Sequence, residues 1–429
     1  MRRLYAPAAP LFVWILAVAA ILTLLAAGSP TATSAPPPTP VPPLGSPSPF
    51  PTVLVTPPSS ATPPELISSA AVLEDLDTGQ ILHEKAPRAR RPAASLTKIM
   101  TALVVLESVQ LSEIVTAGPD AVAQEGASLG LEVGEQRSVR ELLYALLLQS
   151  SNDAAVALAD HVAGSVPAFV EMMNRRAAQM ALRDTRFESA TGLDNDGYST
   201  AEDLAQLTRT ALADPTFAEV VRTKARNIPA PSGPDRHIQN RNVLLWLYPG
   251  AIGVKTGFTT PAGHCLVAAA NRGGLRLLAV TLGAPTEPFD DGATLLNFGF
   301  AGFRRVTLVA EGDAVGLAAV GGLPVPGVAA AGLERLVRVD PLGTVRREFR
   351  PFTGLELPIV AGDGLGWEVI FVGGVRVGTV RVVAGRSVSA PTASPPRTSP
   401  PPEPEPNNPV GVAERLALAA FRALAAAFL

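Results

Sequence analysis

The 429-residue chain contains a single cysteine, Cys265, and this scarcity limits the chemistry that sulfur can supply. One cysteine cannot form an internal disulfide and cannot build a cysteine-based zinc cluster. The four histidines are scattered along the chain, without the short spacing typical of metal ligands. We therefore expect no metal and no other cofactor, and we expect Cys265 to be a small residue of the core.

Lysine is also scarce, because 31 of the 35 basic residues are arginines. A guanidinium stays protonated, so a position that keeps lysine can need an amine that loses its proton. Charged residues make up only 17% of the chain and the net charge is −3. This balance provides no overall positive field for phosphates, and we therefore expect no binding to nucleic acid.

Proline is unevenly distributed and divides the chain into segments. Fourteen prolines lie in residues 29–64 and nine in residues 391–409, a composition that favours extended polyproline II. The apolar run Leu11–Ala27 follows Arg2 and Arg3, which is typical of a secretory signal or a signal anchor. We predict the following order: signal peptide or signal anchor (1–28), Pro-rich stalk (29–64), mixed α/β domain (65–302), small β domain (303–390), Pro-rich linker (391–410), and amphipathic or apolar helix (411–429).

Hydrophobic patterning predicts a mixed α/β fold with antiparallel neighbouring strands, followed by a separate all-β unit. Ser199 and Glu202 are the expected capping pair of one of these helices. The expected elements are a hairpin (71–75 and 80–84), helices (95–108, 138–149, 153–162, 165–182, 199–212 and 291–300), three strands (253–258, 264–270 and 275–282) and short strands between 306 and 388.

Ser95 and Lys98 form the first candidate site. On a helix, residues i and i+3 lie on the same face, so the hydroxyl and the amine can act together. Serine needs an adjacent base to become a nucleophile, and a desolvated lysine can serve as that base. Taken alone, Ser-x-x-Lys also arises by chance, and Ser95 could simply cap a helix.

Two further polar groups accompany this pair. Ser150 and Asn152 lie in a break between two predicted helices, where a polar interhelical turn is the simpler interpretation. Lys255 and Thr256 lie on a predicted strand, and Gly257 there would let a substrate backbone approach closely. By themselves, Lys255 and Thr256 could simply form the polar edge of a strand.

In combination and in this order, these residues resemble the three-motif signature of penicillin-binding proteins and serine β-lactamases. The spacing of 55 residues from Ser95 to Ser150, and of 105 from there to Lys255, is similar to that of low-molecular-weight D-alanyl-D-alanine carboxypeptidases. The resemblance extends over about residues 67–300, and less specifically to about 390. Further matching segments are Asp77–Gln80, Ala94–Met100, Gly126–Ser128, Gly192–Asp194, Ser199–Ala201 and Gly253–Thr259.

The resemblance implies that residues 65–302 form a DD-peptidase/β-lactamase-like catalytic domain, in which helices flank an antiparallel sheet, and that a small all-β domain follows. It also implies acyl transfer in two halves. Ser95 would attack the carbonyl between two D-alanines, and Lys98 would take its proton. Ser150 and Asn152 would relay a proton to the leaving amine and orient the peptide. Water would then usually accept the acyl group.

The resemblance also implies how the substrate is held. Lys255 and Thr256 would bind the free carboxylate of the terminal D-Ala. The backbone N–H groups of Ser95 and Phe258 would form the oxyanion hole. The positive charge of Lys255 would lower the pKa of Lys98.

The expected partners are peptidoglycan stem peptides, β-lactam antibiotics as acylating inhibitors, and a membrane contacted through the terminal helices. The expected location is outside the cytoplasm, secreted or on the outer face of the cell membrane. A β-lactamase is a rival interpretation, but no Glu-x-x-x-Asn element lies between the second and third motifs. A peptidoglycan DD-endopeptidase and a catalytically inert wall-binding module are two further rival interpretations.

Overall fold

The computed structural model describes residues 63–194, 196–231, 233–338 and 344–390. Sequence-based expectations for the two chain ends therefore lie outside the described residues. The described α-helices are α1 (Lys98–Ser108), α2 (Pro119–Val122), α3 (Val139–Tyr144), α4 (Asn152–Ala163), α5 (Val166–Gln179), α6 (Ala201–Leu212), α7 (Pro215–Arg222), α8 (Leu244–Leu247) and α9 (Phe289–Gly302). Within these ranges, no helix is long and apolar enough to cross a membrane.

The strands form two five-stranded sheets and three two-stranded ones. The first nine are β1 (Ala70–Asp75), β2 (Ile81–Lys85), β3 (Ile114–Thr116), β4 (Gln136–Ser138), β5 (Ala225–Ile228), β6 (Arg236–Gln239), β7 (Ala251–Thr259), β8 (Gly263–Arg272) and β9 (Leu275–Ala284). The others are β10 (Phe303–Val309), β11 (Ala314–Val320), β12 (Leu323–Ala329), β13 (Leu333–Arg338), β14 (Val345–Pro351), β15 (Gly364–Val372) and β16 (Val375–Ala384).

The first large sheet has the order β2-β1-β9-β8-β7, and every pair in it is antiparallel. Successive side chains of a strand point to opposite faces, so a strand covered on both sides is apolar throughout. In β1, Ala70 and Val72 join one core cluster, whereas Ala71 and Leu73 join another. Helices therefore flank both faces, as predicted, with α9 on the second face.

Helix boundaries follow local capping chemistry. Ser138 and Glu141 form the predicted capping box of α3, and Gly164 ends α4 with a φ of 75°. The predicted cap of α6 is displaced by one residue. Thr200, rather than Ser199, is the N-cap, and its side chain accepts a hydrogen bond from Asp203 N. The helix predicted to reach Leu182 ends at Gln179.

The second large sheet has the order β11-β12-β16-β15-β14 and follows the helical part of the chain, in agreement with the predicted all-β unit. Its core consists of valine, leucine, isoleucine and alanine side chains, including Val325, Leu365 and Val382. One ion pair, Arg347–Glu368, is largely buried beside this core. A buried pair of this kind costs desolvation and is a poor measure of stability.

Polar contacts join the start of the first sheet to β10 and β13. The Gln80 side chain donates to Leu336 O at 2.7 Å and accepts from Leu336 N at 3.0 Å. Arg305 of β10 pairs with Asp75 at 3.1 Å and with Asp77 at 2.9 Å. The turn after β1 thus fixes the position of the β10–β13 ribbon.

Candidate active site

One cavity of about 460 Å³ is lined by most of the residues of the three sequence motifs. The two motif lysines, Lys98 and Lys255, are buried beside it and have 0% and 1% of their surface exposed. The motif residues that line the cavity are Ser95, Ser150, Asn152, Thr256, Gly257 and Phe258.

Ser95 lies in a 3-10 turn, Ala94–Thr97, that precedes α1. The sequence predicted an α-helix from Ser95 onward, but the α-helix begins only at Lys98. Ala94 adopts a φ of 47°, a left-handed conformation that alanine rarely takes. Strained backbone of this kind concentrates at functional sites, where surrounding contacts enforce it. The turn presents Ser95 to the cavity instead of burying it along a helix.

The Lys98 amine contacts three oxygen atoms. Its Nζ lies 3.1 Å from Ser95 Oγ, 2.7 Å from Asn152 Oδ1 and 2.7 Å from Thr191 O. A neutral amine has two N–H donors and one lone pair. It can donate to Asn152 and to Thr191 while it accepts the proton of the Ser95 hydroxyl, so the neutral form satisfies all three contacts.

Burial lowers the pKa of Lys98 to about 7, and the charge of Arg241 acts in the same direction. The sequence did not predict Arg241 in this role. It predicted Lys255, and repulsion between the two lysines does act, because Lys98 contributes to lowering the pKa of Lys255. Burial also lowers the pKa of Lys255 itself well below its usual value, and Lys98 and Arg241 add to that effect. At neutral pH a substantial fraction of Lys98 is therefore a free base.

Asn152 holds Lys98 in place because its own amide is oriented. Its Nδ2 donates to Glu125 O at 2.6 Å, which leaves Oδ1 to face Lys98 Nζ. Its backbone N–H donates to Ala127 O, also at 2.6 Å. The loop that contains Glu125 and Ala127 thus decides which end of the amide meets the lysine.

That loop is in turn organised by the buried carboxylate of Asp153. The carboxylate accepts hydrogen bonds from the backbone N–H groups of Leu129, Gly130 and Leu131, at 2.9 to 3.0 Å. It also accepts from Ser128 Oγ at 2.6 Å. Asp153 was not predicted from the sequence as a residue of the site, although its position directly after Asn152 could have drawn attention to it.

Ser150 follows a π-helical turn, Ala145–Gln149, and adopts a left-handed φ of 69°. This unusual backbone places the side chain in the break between two helices, where the sequence predicted it. Ser150 Oγ is buried, and among the described residues it has no hydrogen-bond partner. A buried hydroxyl without a partner is available to a ligand in the cavity.

The third motif lies on β7, at the edge of the first sheet. A Cβ atom on Gly257 would lie 3.1 Å from Ser95 N and 3.3 Å from Ala93 O, so glycine allows the strand to approach the turn that contains Ser95. Phe258 follows directly and packs against His264, with ring centroids 4.4 Å apart. The backbone N–H groups of Ser95 and Phe258 therefore belong to adjoining segments.

Arg241 lines the cavity, and the sequence motifs did not predict it. It lies in a turn that two asparagines hold. Asn240 Nδ2 donates to Val221 O at 3.1 Å, and Asn242 Oδ1 accepts from Leu244 N at 3.2 Å. No spacing rule indicates this residue, because β6 and this turn bring it to the cavity only in the folded chain.

Cys265 is fully buried, as expected of a core residue, and it also contributes to the cavity wall. Burial raises the pKa of its thiol to about 11. A thiol is a weak nucleophile compared with its thiolate, so Cys265 is unsuited to attack a substrate at neutral pH.

A family model for D-alanyl-D-alanine carboxypeptidases matches residues 58–286. The chain is 40% identical over 275 residues to D-alanyl-D-alanine carboxypeptidase DacD of Escherichia coli, and the match covers 60% of this chain and 70% of the relative. It is 34% identical over 256 residues to D-alanyl-D-alanine carboxypeptidase DacF of Bacillus subtilis, with coverage of 58% of this chain and 66% of the relative.

The likeness to solved structures extends beyond the first sheet. The crystal structure of penicillin-binding protein 5 from Haemophilus influenzae superposes with a TM-score of 0.66 at 29% identity, and the match covers 77% of this chain and 99% of that one. The likeness therefore includes the C-terminal β-rich domain as well as the mixed α/β part. With the family model matching more than half of its length, the chain belongs to the D-alanyl-D-alanine carboxypeptidase family of serine hydrolases.

Proposed function

We propose that the protein removes the terminal D-alanine from peptidoglycan stem peptides that end in D-Ala-D-Ala, through an acyl-enzyme on Ser95. The observation that carries this proposal is the buried Lys98 amine, whose Nζ lies 3.1 Å from Ser95 Oγ. Because its pKa is lowered to about 7, this amine can accept the serine proton at neutral pH.

In the first half-reaction, Ser95 Oγ attacks the carbonyl carbon of the penultimate D-alanine while its proton passes to Lys98. The carbonyl oxygen becomes an oxyanion, which the N–H groups of Ser95 and Phe258 stabilise. The C–N bond then breaks. The proton returns through Ser150 to the leaving amine, and free D-alanine departs, leaving an ester on Ser95.

In the second half-reaction, a water molecule attacks that ester. Lys98 takes a proton from the water, the C–O bond to Ser95 breaks, and the proton returns to Ser95 Oγ. The products are the shortened peptide with a new carboxylate and the regenerated hydroxyl. The proton of the water reaches the serine, so the cycle consumes only water and peptide.

The terminal carboxylate of the substrate would bind at Lys255 and Thr256. Lys255 Nζ donates to Thr256 O at 2.8 Å, and Thr256 lines the cavity. An arriving carboxylate favours the protonated form of Lys255, which counteracts the effect of burial on its pKa. Arg241 adds a second cation at the same cavity and strengthens the preference for an anionic substrate.

A β-lactam would acylate Ser95 by the same attack, but its leaving nitrogen stays tethered to the acyl group after the ring opens. The leaving group therefore cannot diffuse away, and the acyl-enzyme persists until water attacks. We propose β-lactams as acylating inhibitors on this basis. Release should take minutes or longer, because the deacylating Glu-x-x-x-Asn element is missing from the sequence between the second and third motifs.

The test of this function measures D-alanine release from a soluble peptide that ends in D-Ala-D-Ala. The wild-type chain should release D-alanine, and Ser95→Ala should release none while it keeps the wild-type circular dichroism spectrum. Ser112→Ala, which changes a serine outside the cavity, is the matched control. Cleavage of cross-linked dimers without release from the soluble peptide would favour a DD-endopeptidase, and rapid hydrolysis of penicillin would favour a β-lactamase.

We further propose that the catalytic domain acts outside the cytoplasm, attached to the outer face of the cell membrane through the terminal segments at Leu11–Ala27 and Val412–Leu429. The support is compositional, since both segments are apolar. Two weak attachments together give stable anchoring, whereas one gives reversible binding. Removal of both segments should release the protein from the membrane fraction. If the doubly truncated chain still sediments with membranes, attachment through these segments is wrong.

A further inference from the structure

The outer face of the second sheet carries a row of apolar side chains along β15. Trp367, Val369 and Phe371 occupy alternate positions and therefore point to the same side. The register places an arginine beside each aromatic residue on both neighbouring strands. The cross-strand partners are Arg350 and Arg381 for Trp367, and Arg346 and Arg376 for Phe371.

The charge of this face is strongly positive. Glu348 is its acidic residue, opposite Val369, and it pairs with Arg346 at 3.1 Å and with Arg350 at 2.9 Å. Arg376 and Arg381 are exposed, and neither side chain has a hydrogen bond or ion pair to another described residue. Two guanidinium groups on β16 are therefore available to a ligand.

The face is concave along the row. Val369 is only 4% exposed and forms the floor, whereas Trp367 is 45% exposed and forms a wall. The resulting groove has a volume of about 260 Å³, and its other lining residues are Arg350, Arg376 and Thr379. A flat bilayer would touch the protruding side chains and would miss the floor, whereas a narrow chain could lie along it.

We propose that this surface, the tryptophan–arginine face (Trp367, Val369, Phe371, Arg346, Arg350, Arg376 and Arg381), binds a glycan strand that carries carboxylate groups. The indole of Trp367 offers an apolar plane for the carbon-bound hydrogens of a sugar ring, and it also has a polar N–H. Arginine matches carboxylates with two parallel hydrogen bonds. Arginines on both sides of the row suit a ligand whose charges project to both sides.

The proposal rests on the proposed function, because the stem peptides cleaved at Ser95 are attached to such a strand. The face would hold the insoluble polymer while the catalytic cavity acts on its peptides. Changes to this face should therefore weaken binding to the polymer and leave the rate of cleavage of a short soluble peptide unchanged. Binding should also weaken as ionic strength rises, since exposed charges are screened beyond about 8 Å at physiological salt.

The test is co-sedimentation of the full chain, kept in detergent, with purified insoluble peptidoglycan. Trp367→Ala and the double variant Arg376→Ala/Arg381→Ala should each weaken binding at least about fivefold, as expected when a central contact of an interface is lost. Both should release D-alanine from a soluble peptide at the wild-type rate. Matched controls are Trp246→Ala, which removes a tryptophan that is 41% exposed, and Arg175→Ala, which removes an arginine that is 63% exposed, and both should bind like wild type.

Unchanged binding of the Trp367 and Arg376/Arg381 variants would overturn the proposal. So would a loss of binding to vesicles of anionic phospholipid in these variants without any loss of binding to peptidoglycan, because the face would then be a lipid surface. Ser95→Ala separates polymer binding from the proposed function, since it should bind the polymer normally. If the wild-type chain binds peptidoglycan through Trp367 but releases no D-alanine, the proposed function fails and the binding site stands.

Discussion

The rate of acylation should depend on the protonation state of Lys98, and the structure gives the sign and the range of that dependence. Only the neutral amine can take the proton of Ser95. Burial and the charge of Arg241 lower the pKa of Lys98 to about 7, so the neutral fraction increases as pH rises through 7. The rate should increase with it.

The magnitude follows from this pKa. At pH 7 about half of Lys98 is neutral, and at pH 5 about 1% is neutral. Between pH 6 and pH 5 the second-order rate constant should therefore fall about tenfold. With the ordinary lysine pKa of about 10.4, the rate would still be rising about tenfold per pH unit between pH 7 and pH 9. Protonation of Lys255 favours carboxylate binding as pH falls, which is the opposite sign, so a fall in rate toward acid pH reports on Lys98.

The assay is stopped-flow acylation by a chromogenic β-lactam between pH 5 and pH 9, because this rate constant reports on the free enzyme. The variant Arg241→Ala removes a cation that disfavours the protonated lysine, so its pKa should rise and the acid limb should move to higher pH. Arg241→Lys retains the charge and is the matched control. A flat profile between pH 5 and pH 7 would refute the assignment of Lys98 as the base, whereas a profile that Arg241→Ala does not move would refute the effect of Arg241 on the pKa of Lys98.

Three further outcomes follow from the same contacts. Lys98→Arg should lower the acylation rate constant by at least about 10²-fold, since a guanidinium cannot act as the base. Circular dichroism checks that the variant folds, and a wild-type acylation rate in this variant would show that another residue is the base. Asp153→Asn should lower the free energy of unfolding by about 3 kcal/mol in urea titrations, because a buried charged acceptor of backbone N–H groups is lost; an unchanged midpoint would contradict this. Amidation of the substrate's C-terminus should reduce kcat/KM by about 30-fold to several thousand-fold, corresponding to roughly 2–5 kcal/mol for an unpaired Lys255; rates equal within about threefold would show that Lys255 and Thr256 do not bind a carboxylate.

The sequence predicted the parts of the site that depend on short-range spacing. Ser95 and Lys98 are three residues apart, so any helical turn brings them together. The break at Ser150 was also predictable, because the capping box at Ser138 begins a helix that ends before the polar residues. Strand patterning placed Lys255 on the sheet.

Other features depend on contacts between distant parts of the chain, which spacing does not reveal. Arg241 acts on the pKa of Lys98 as a cation that the sequence did not predict, because the turn after β6 brings its guanidinium to the cavity only in the folded chain. The carbonyl of Thr191 is a backbone group and carries no sequence signal. The cap of α6 was displaced to Thr200 because either hydroxyl suits an N-cap, and tertiary contacts decide between them.

The intact mass of the protein after incubation with benzylpenicillin tests whether Ser95 is the nucleophile. If it is, the wild-type chain gains the mass of one penicillin, and proteolysis assigns this mass to the peptide containing Ser95. Ser95→Ala should gain none, while Ser150→Ala should still form the adduct, more slowly. An adduct of equal yield on Ser95→Ala would contradict the assignment of Ser95 as the nucleophile.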